Sequence, residues 1–186
     1  MNDRSSGTDQ LSDESLIQRY LESGDRELFA QLVRRHQNQV YSMCVRILGS
    51  PSLAEEVAQD VFVAVYKNLD RFRGEAKFRT WMYRVVVNHC KNKQAHLARR
   101  QRMRHESIDK PRSLEEGEVK RELPSERPGP EDAALALERR RILERGLAEL
   151  GEDHRTVIVL ADLQGQPYDV IAATLGVAPG TVKSRL

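Results

Sequence analysis

The chain has 186 residues, of which 39% are apolar, 31% charged and 5% aromatic. This length is enough for one domain or two small ones with a buried core. The apolar runs are too short to span a bilayer and the N-terminus is polar, which disfavours membrane insertion and secretion. Two cysteines, Cys44 and Cys90, form no CxxC pair. They suit neither a disulfide framework nor a thiolate zinc site, so we expect a cytoplasmic protein.

The net charge of +2 hides a strong segregation of charge along the chain. Residues 71–105 carry 11 basic side chains and one acid, Glu75, for a net charge of +10. Residues 1–70 and 106–132 each carry −4, and the remainder is balanced. A near-neutral protein with such a concentrated basic segment is expected to bind a polyanion. The alternative is an ordinary solvated basic face.

Apolar residues spaced three and four apart predict four helices in the first part of the chain. The first follows a start signal at Ser12, and the second begins near Asp25 and ends at Gly49. The third runs from about residue 52 to 70, and the fourth from about residue 78 to beyond residue 92. The inward face of the fourth is expected to hold Phe78, Met82, Val85, Val86 and His89. A bundle of four helices is therefore predicted over residues 1–105.

Residues 106–131 break this pattern with four prolines, two glycines and few large apolar side chains. Such a segment buries too little apolar surface to offset the entropy of ordering, so it is predicted to be a flexible acidic linker. Helical spacing returns over residues 132–186. The sequence thus predicts an all-α protein of two small helical domains joined by this linker.

The last 19 residues fit a helix-turn-helix motif. Ala172 is small where the two helices must approach, and Gly176 lies where the turn requires a positive φ. Val182 and Leu186 are expected to form the inward face of the second helix, which begins at Pro179. Its outward residues would then meet the DNA groove. Because that helix stops after barely two turns, we expect the chain to be truncated at Leu186.

One face of the fourth predicted helix carries the groups that stack on bases and grip phosphates. These residues are Trp81, Arg84, Asn88, Lys91 and Asn92. Just before the helix, Phe72, Arg73 and Gly74 supply an aromatic ring and a loop able to receive an unstacked base. For Trp81 alone, a place in the core would be the commoner interpretation.

These segments resemble the extracytoplasmic-function (ECF) sigma factors of the sigma-70 family. Residues 72–92 resemble regions 2.3–2.4, which read the promoter −10 element, and residues 54–66 resemble region 2.2. Residues 150–186 resemble region 4, including the signature Gly180-Thr-Val-Lys-Ser-Arg185. The resemblance implies an alternative sigma factor that binds core RNA polymerase, directs it to −10 and −35 promoter elements and melts the promoter through region 2.

Carried over to this chain, the resemblance assigns residues to three surfaces. The −10 element would be met by Phe72, Arg73, Phe78, Thr80, Trp81, Arg84, Asn88, Lys91 and Asn92, with Asn88 and the Phe72–Phe78 loop holding a flipped base. The −35 element would be met by Pro179, Gly180, Thr181, Lys183, Ser184 and Arg185. The β′ clamp helices of the polymerase would be met by Glu56, Gln59, Asp60 and Phe62. The β flap would hold the second domain, and an anti-sigma factor is an expected partner.

Three other classes of protein fit part of these features. A protein-only adaptor explains the helices and leaves the +10 charge of residues 71–105 unexplained. Glu55, Glu56 and Asp60 could form a metal or catalytic cluster, but no histidine accompanies them, so an enzyme, a metal site and a cofactor are not expected. A stand-alone DNA-binding repressor or activator explains the terminal motif and leaves the basic helix and acidic linker unexplained. An oxidant-sensing Cys90 is a minor alternative.

Overall fold

The computed structural model describes residues 11–106 and 130–186. The linker predicted at residues 106–131 therefore lies almost entirely outside the described residues. The helices are α1 Asp13–Ser23, α2 Arg26–Leu48, α3 Pro51–Asn68, α4 Phe78–Glu106, α5 Pro130–Glu149, α6 Glu152–Ile158, α7 Tyr168–Leu175 and α8 Pro179–Arg185. A 3₁₀ turn, Leu69–Arg71, follows α3, and a π-helical segment, Val159–Leu163, continues α6. Neither described range contains a β-strand, so the all-α class is confirmed.

The helix ends lie where the local signals predict them. The Ser12 hydroxyl accepts from the Ser15 N–H at 3.1 Å, and the Asp25 carboxylate accepts from the Glu27 N–H at 3.0 Å. Gly49 ends α2 with φ 70° and its N–H donates to the Val45 carbonyl at 2.8 Å. Each of these contacts satisfies a backbone group that the helix itself leaves unpaired.

Helices α1 to α4 form the first domain, with α2 packed against each of the other three. Its core consists of fully buried side chains that include Leu16, Leu32, Val40, Ile47, Val57, Val61, Met82 and Val86. Within the regions described, no helix is both long and apolar enough to cross a membrane.

Helices α5 to α8 form the second domain around Val157, Leu160, Ile171 and Val182. The domain packs directly on the first, with α7 against α4 and α6 against α2, so the buried apolar residues form one continuous cluster. Arg155 links the two domains, since its guanidinium donates to the carbonyl of Ile47 at 3.2 Å. The same group also donates to the carbonyls of Ala148 and Leu150, both at 2.8 Å.

Candidate nucleic-acid interface

Three aromatic rings support the loop that precedes α4. The ring centroids of Phe72, Phe78 and Trp81 lie 5.7 to 5.9 Å apart, and Phe72 meets Phe78 edge-on. Phe78 is only 1% exposed, whereas Phe72 and Trp81 are half-buried and residues 73–77 are exposed. Phe78 therefore lies in the core, and it can act on DNA only by shaping the loop above it. A direct contact with DNA, as implied by the resemblance, does not fit this burial.

The predicted outward face of α4 is present in the structure. Arg84, Asn88 and Asn92 are exposed and lie four residues apart, so they form one row along the helix. Trp81 and Lys91 flank this row and are half-buried. The row begins at Arg84, three residues after Trp81, so the guanidinium group follows the aromatic cluster by about one turn and the two amides continue the row along α4. This is the chemistry that binds a single strand through bases and phosphates.

The inward face of α4 differs from the prediction. Met82 and Val86 are fully buried as expected, but Val85 and His89 are only half-buried. Tyr83 and Val87 are buried instead, and the second domain covers Tyr83, whose hydroxyl donates to the Gln164 side chain. Helical spacing on α4 alone carries no sign of this second cover, because it arises from a contact between distant parts of the chain.

A polar cluster marks this contact between the domains. The Tyr83 hydroxyl accepts from the Gln39 side-chain amide and donates to the Gln164 side-chain oxygen at 2.9 Å. The Gln39 amide also donates to Gln164 at 2.8 Å, and the Thr80 hydroxyl lies 3.5 Å from the Gln166 side-chain oxygen. Burial raises the pKa of Tyr83 above its usual value. Thr80, predicted to meet the −10 element, thus lies at the edge of the domain contact.

The helix-turn-helix geometry is as predicted at the turn and different at the end. Gly176 has φ 66°, Ala172 is buried, and Pro179 is the first residue of α8. Val182 is fully buried, but Leu186 is 44% exposed, so its predicted inward position is wrong. Leu186 is the residue after the end of α8, and the contact of that end with α6 is made by Arg185 instead.

The residues predicted to meet the −35 element are not equally available. Pro179, Gly180, Lys183 and Ser184 are exposed, and Thr181 is half-buried. The Arg185 guanidinium is held 2.6 Å from the Asp153 carboxylate of α6, and the Arg185 carbonyl lies 2.9 Å from the His154 ring. A DNA phosphate would have to compete with Asp153 for this arginine.

The α3 surface carries the four residues predicted to meet polymerase. Glu56, Gln59 and Asp60 are exposed and Phe62 is half-buried; the Glu56 carboxylate pairs with the Lys93 ammonium of α4. Sequence reasoning missed the apolar patch beside them, where Leu21, Val63 and Tyr66 are 46–51% exposed. The position of Val63 outside the buried stripe of α3 was the available signal, since an exposed apolar patch commonly marks an interaction surface.

The cysteines and the acidic residues of the described ranges are the other candidates for a functional site. Cys44 and Cys90 are both fully buried, and a hydrogen bond between the two thiols together with burial raises the pKa of Cys90 far above its usual value. The reactive thiolate is therefore strongly disfavoured. Within the two described ranges, no three His, Cys, Asp or Glu side chains are grouped so as to hold a metal ion.

Comparisons with known proteins match both domains. The model of sigma-70 region 2 matches residues 32–103, and that of sigma-70 region 4 matches residues 140–186. The ECF RNA polymerase sigma-E factor of Escherichia coli is 35% identical over 179 residues, which cover 96% of this chain and 91% of that protein. Its counterpart in Haemophilus influenzae is 33% identical over 178 residues, with the same coverage.

Two solved structures share the arrangement of helices. CnrH in complex with the cytosolic domain of CnrY superposes with a TM-score of 0.58 at 26% identity, over 94% of this chain and 89% of that one. The sigma factor RpoE in complex with the anti-sigma factor NepR from Bartonella quintana gives a TM-score of 0.58 at 20% identity, over 85% and 89%, which shows the fold alone. With both regions matched in order and relatives above 30% identity over nearly the whole chain, the protein belongs to the ECF sigma factors of the sigma-70 family, which are transcription initiation factors.

Proposed function

We propose that this sigma factor binds core RNA polymerase in the cytoplasm and directs it to −10 and −35 promoter elements. Residues 1–105 act as region 2, residues 106–131 as the linker and residues 132–186 as region 4. The chemistry of RNA synthesis belongs to the polymerase, and the sigma factor supplies recognition and strand separation.

The observation that carries the proposal is the exposed row on α4 next to a loop held up by aromatic rings. Strand separation costs roughly 1.4 kcal/mol of stacking per base-pair step. Stacking of an extruded base on an aromatic side chain returns roughly 1–3 kcal/mol. Half-buried Phe72 and Trp81 offer ring surface at the loop, and Asn88 offers an amide able to hydrogen-bond a base edge.

The −35 element is assigned to the exposed residues of α8. An isolated helix-turn-helix binds DNA weakly, and two weak modules on one tether gain affinity only when both sites are presented together. The polymerase supplies this arrangement by holding region 2 on the β′ clamp helices and region 4 on the β flap. Glu56, Gln59, Asp60 and Phe62 form the proposed clamp contact, and the exposed patch of Leu21, Val63 and Tyr66 extends it.

We further propose regulation by an anti-sigma factor. CnrH, which is 26% identical to this chain, is seen bound to the cytosolic domain of CnrY, and RpoE, which shares its fold, is seen bound to the anti-sigma factor NepR. A protein inhibitor that covers α3 and its apolar patch would block the proposed polymerase contact. Co-expression of a candidate anti-sigma factor should therefore prevent this chain from binding polymerase. A candidate that bound the chain and left polymerase binding unchanged would contradict this part of the proposal.

The first test is co-elution of the chain with purified bacterial core RNA polymerase in the absence of DNA. Stable co-elution is expected at moderate salt. A stand-alone repressor has no reason to bind the core enzyme without DNA. If the folded chain failed to co-elute yet bound promoter duplex by itself, the repressor would replace the sigma factor as the better assignment.

The second test is the substitution Asn88→Ala. It should reduce the preference of the holoenzyme for one −10 base about tenfold, because a hydrogen-bonded base edge is worth about 1–3 kcal/mol of discrimination. Polymerase binding should be unchanged. Asn38→Ala, at another exposed asparagine on α2, is the matched control. Identical initiation on every −10 variant before and after the Asn88 change would remove this assignment.

A further inference from the structure

A carboxylate of α1 caps the first turn of α4. The Phe78 N–H donates to the Glu14 carboxylate oxygen at 3.0 Å, across 64 positions of sequence. Phe78 is the first residue of α4, so its N–H is one of the groups that the helix cannot pair by itself. A negative charge is also favourable at this end of a helix. The contact therefore fixes where α4 begins.

The same turn of α1 holds the side chain of Phe78 through a second route. The ring of buried His36 lies edge-on to Phe78, with centroids 5.5 Å apart. The His36 Nε2 atom lies 2.8 Å from the Asp13 carboxylate, which also accepts from Arg35 at 3.2 Å. Asp13 thus supports the Phe78 ring through His36, and Glu14 binds the Phe78 backbone directly.

Phe78 is also the residue at which the exposed loop ends. At the other end of the loop the Phe72 N–H donates to the Leu69 carbonyl at 3.1 Å. Between these ends, residues 73–77 are exposed and Gly74 adopts φ 72°. The path of such a loop depends on how firmly its two ends are held. Only one of the two anchors, the contact from Glu14, comes from outside the loop and its flanking helices.

We propose that Glu14 is a positioning residue for recognition of the flipped −10 base. This inference rests on the proposed function, because it assigns the loop between Phe72 and Phe78 to base capture. Glu14 does not touch DNA itself. The loop ends at the first residue of α4, and Asn88 lies ten residues further along the same helix. By fixing that first residue, Glu14 sets the distance between the loop and Asn88, the two elements proposed to hold the flipped base.

The test compares three variants of the full chain assembled with core RNA polymerase. Glu14→Ala removes the acceptor, and Glu14→Gln keeps an oxygen at the same place. Glu22→Ala removes the same charge from the same helix, where the carboxylate accepts only from Gln18 within α1 among the contacts described, at 2.9 Å. The probe is a promoter library randomised at the −10 positions, and the readout is the enrichment of the preferred base over the other three.

Glu14→Ala should lower that enrichment roughly threefold to tenfold, the range expected for loss of one hydrogen bond. Glu14→Gln and Glu22→Ala should keep it near the wild-type value, and all three variants should co-elute with the polymerase. A Glu14→Ala variant with full base preference would overturn the inference. So would a Glu14→Gln variant as damaged as Glu14→Ala, or a loss shared equally by all four bases and matched by a lowered melting temperature.

Failure of this inference is distinguishable from failure of the proposed function. A wild-type chain that showed no base preference, or no binding to the polymerase, would overturn both. A wild-type chain with a clear preference that Glu14→Ala left intact would overturn only the positioning role.

Discussion

The buried imidazole of His36 is hydrogen-bonded to the Asp13 carboxylate. The hydrogen bond from His36 is the main reason that the pKa of Asp13 is lowered below its usual value. A carboxylate with a lowered pKa in the folded state stabilises the fold at neutral pH. That stability decreases as pH falls below about 4, through the usual pKa of an aspartate and then through the lowered one.

We therefore expect Asp13→Asn to weaken the dependence of stability on acid. The wild-type chain should lose unfolding free energy between pH 5 and pH 2, and the variant should lose less over the same interval. At pH 7 the variant should be less stable by about 1–3 kcal/mol, as expected for a hydrogen bond to a charged group. Urea unfolding at both ends of the pH range measures this, with Glu22→Gln as control. Parallel pH profiles for the two chains would refute it.

Prediction from sequence succeeded for residues whose position follows from their own helix. Cys44 lies on the apolar stripe of α2 and is buried as expected. Helical spacing also placed Phe78 on the inward face of α4, where it is buried. It gave no indication of distant partners: Asp153 pairs with Arg185, and the His36 ring lies edge-on to Phe78. Neither partner is within helical spacing of the residue it holds, so no local pattern could identify it.

The two glycines of the helix-turn-helix are expected to have opposite effects on stability when replaced by alanine. Gly176 has a positive φ that other residues adopt only with strain, whereas Gly180 lies within α8 with open space where a Cβ would be. Gly176→Ala should lower the unfolding free energy by about 1–2 kcal/mol. Gly180→Ala should raise it by about 0.5–1 kcal/mol, because alanine favours the helix. Thermal unfolding of the two variants measures this contrast, and a shift in the same direction for both would contradict it.

The helix ends were predictable because caps are local: Ser12, Asp25 and Gly49 each act within four residues of their own position. The π-helical segment that continues α6 was not predictable. Its wider backbone carries Val159 and Leu160, both of which are buried in the core. The spacing of apolar residues does not distinguish it from an ordinary helical turn.

The two proposed DNA surfaces are close together in the folded chain. Helix α7 packs on α4 and α8 packs on α7, so at 8–10 Å per helix layer the axes of α4 and α8 lie no more than about 20 Å apart at these contacts. The −10 and −35 elements are about 25 base pairs apart by their numbering, or about 85 Å of duplex at 3.4 Å per pair. The two elements cannot be bound at the same time in this arrangement.

The contact between the domains could not be predicted from sequence, because Gln39 and Tyr83 of the first domain meet Gln164 of the second, far along the chain.

The domains should therefore separate when the sigma factor is bound to polymerase and promoter. Exposed positions 37 on α2 and 173 on α7 suit dye labelling as Gln37→Cys and Ala173→Cys, because the native Cys44 and Cys90 are buried. Energy transfer between the dyes should be high in the free chain and fall in the promoter complex. Unchanged transfer would show that the arrangement persists and would contradict the proposed use of both surfaces.

Trp81 is the one tryptophan of the chain, and it lies half-buried against Phe72 and Phe78 at the edge of the exposed loop. The intrinsic fluorescence of the protein at long excitation wavelength therefore originates from this one location. A nucleobase that stacked on Trp81 would quench the emission. Loss of the contact between Glu14 and the Phe78 N–H would shift the emission wavelength. The chain thus contains its own optical reporter of the loop, and no label is needed to follow its occupancy in real time.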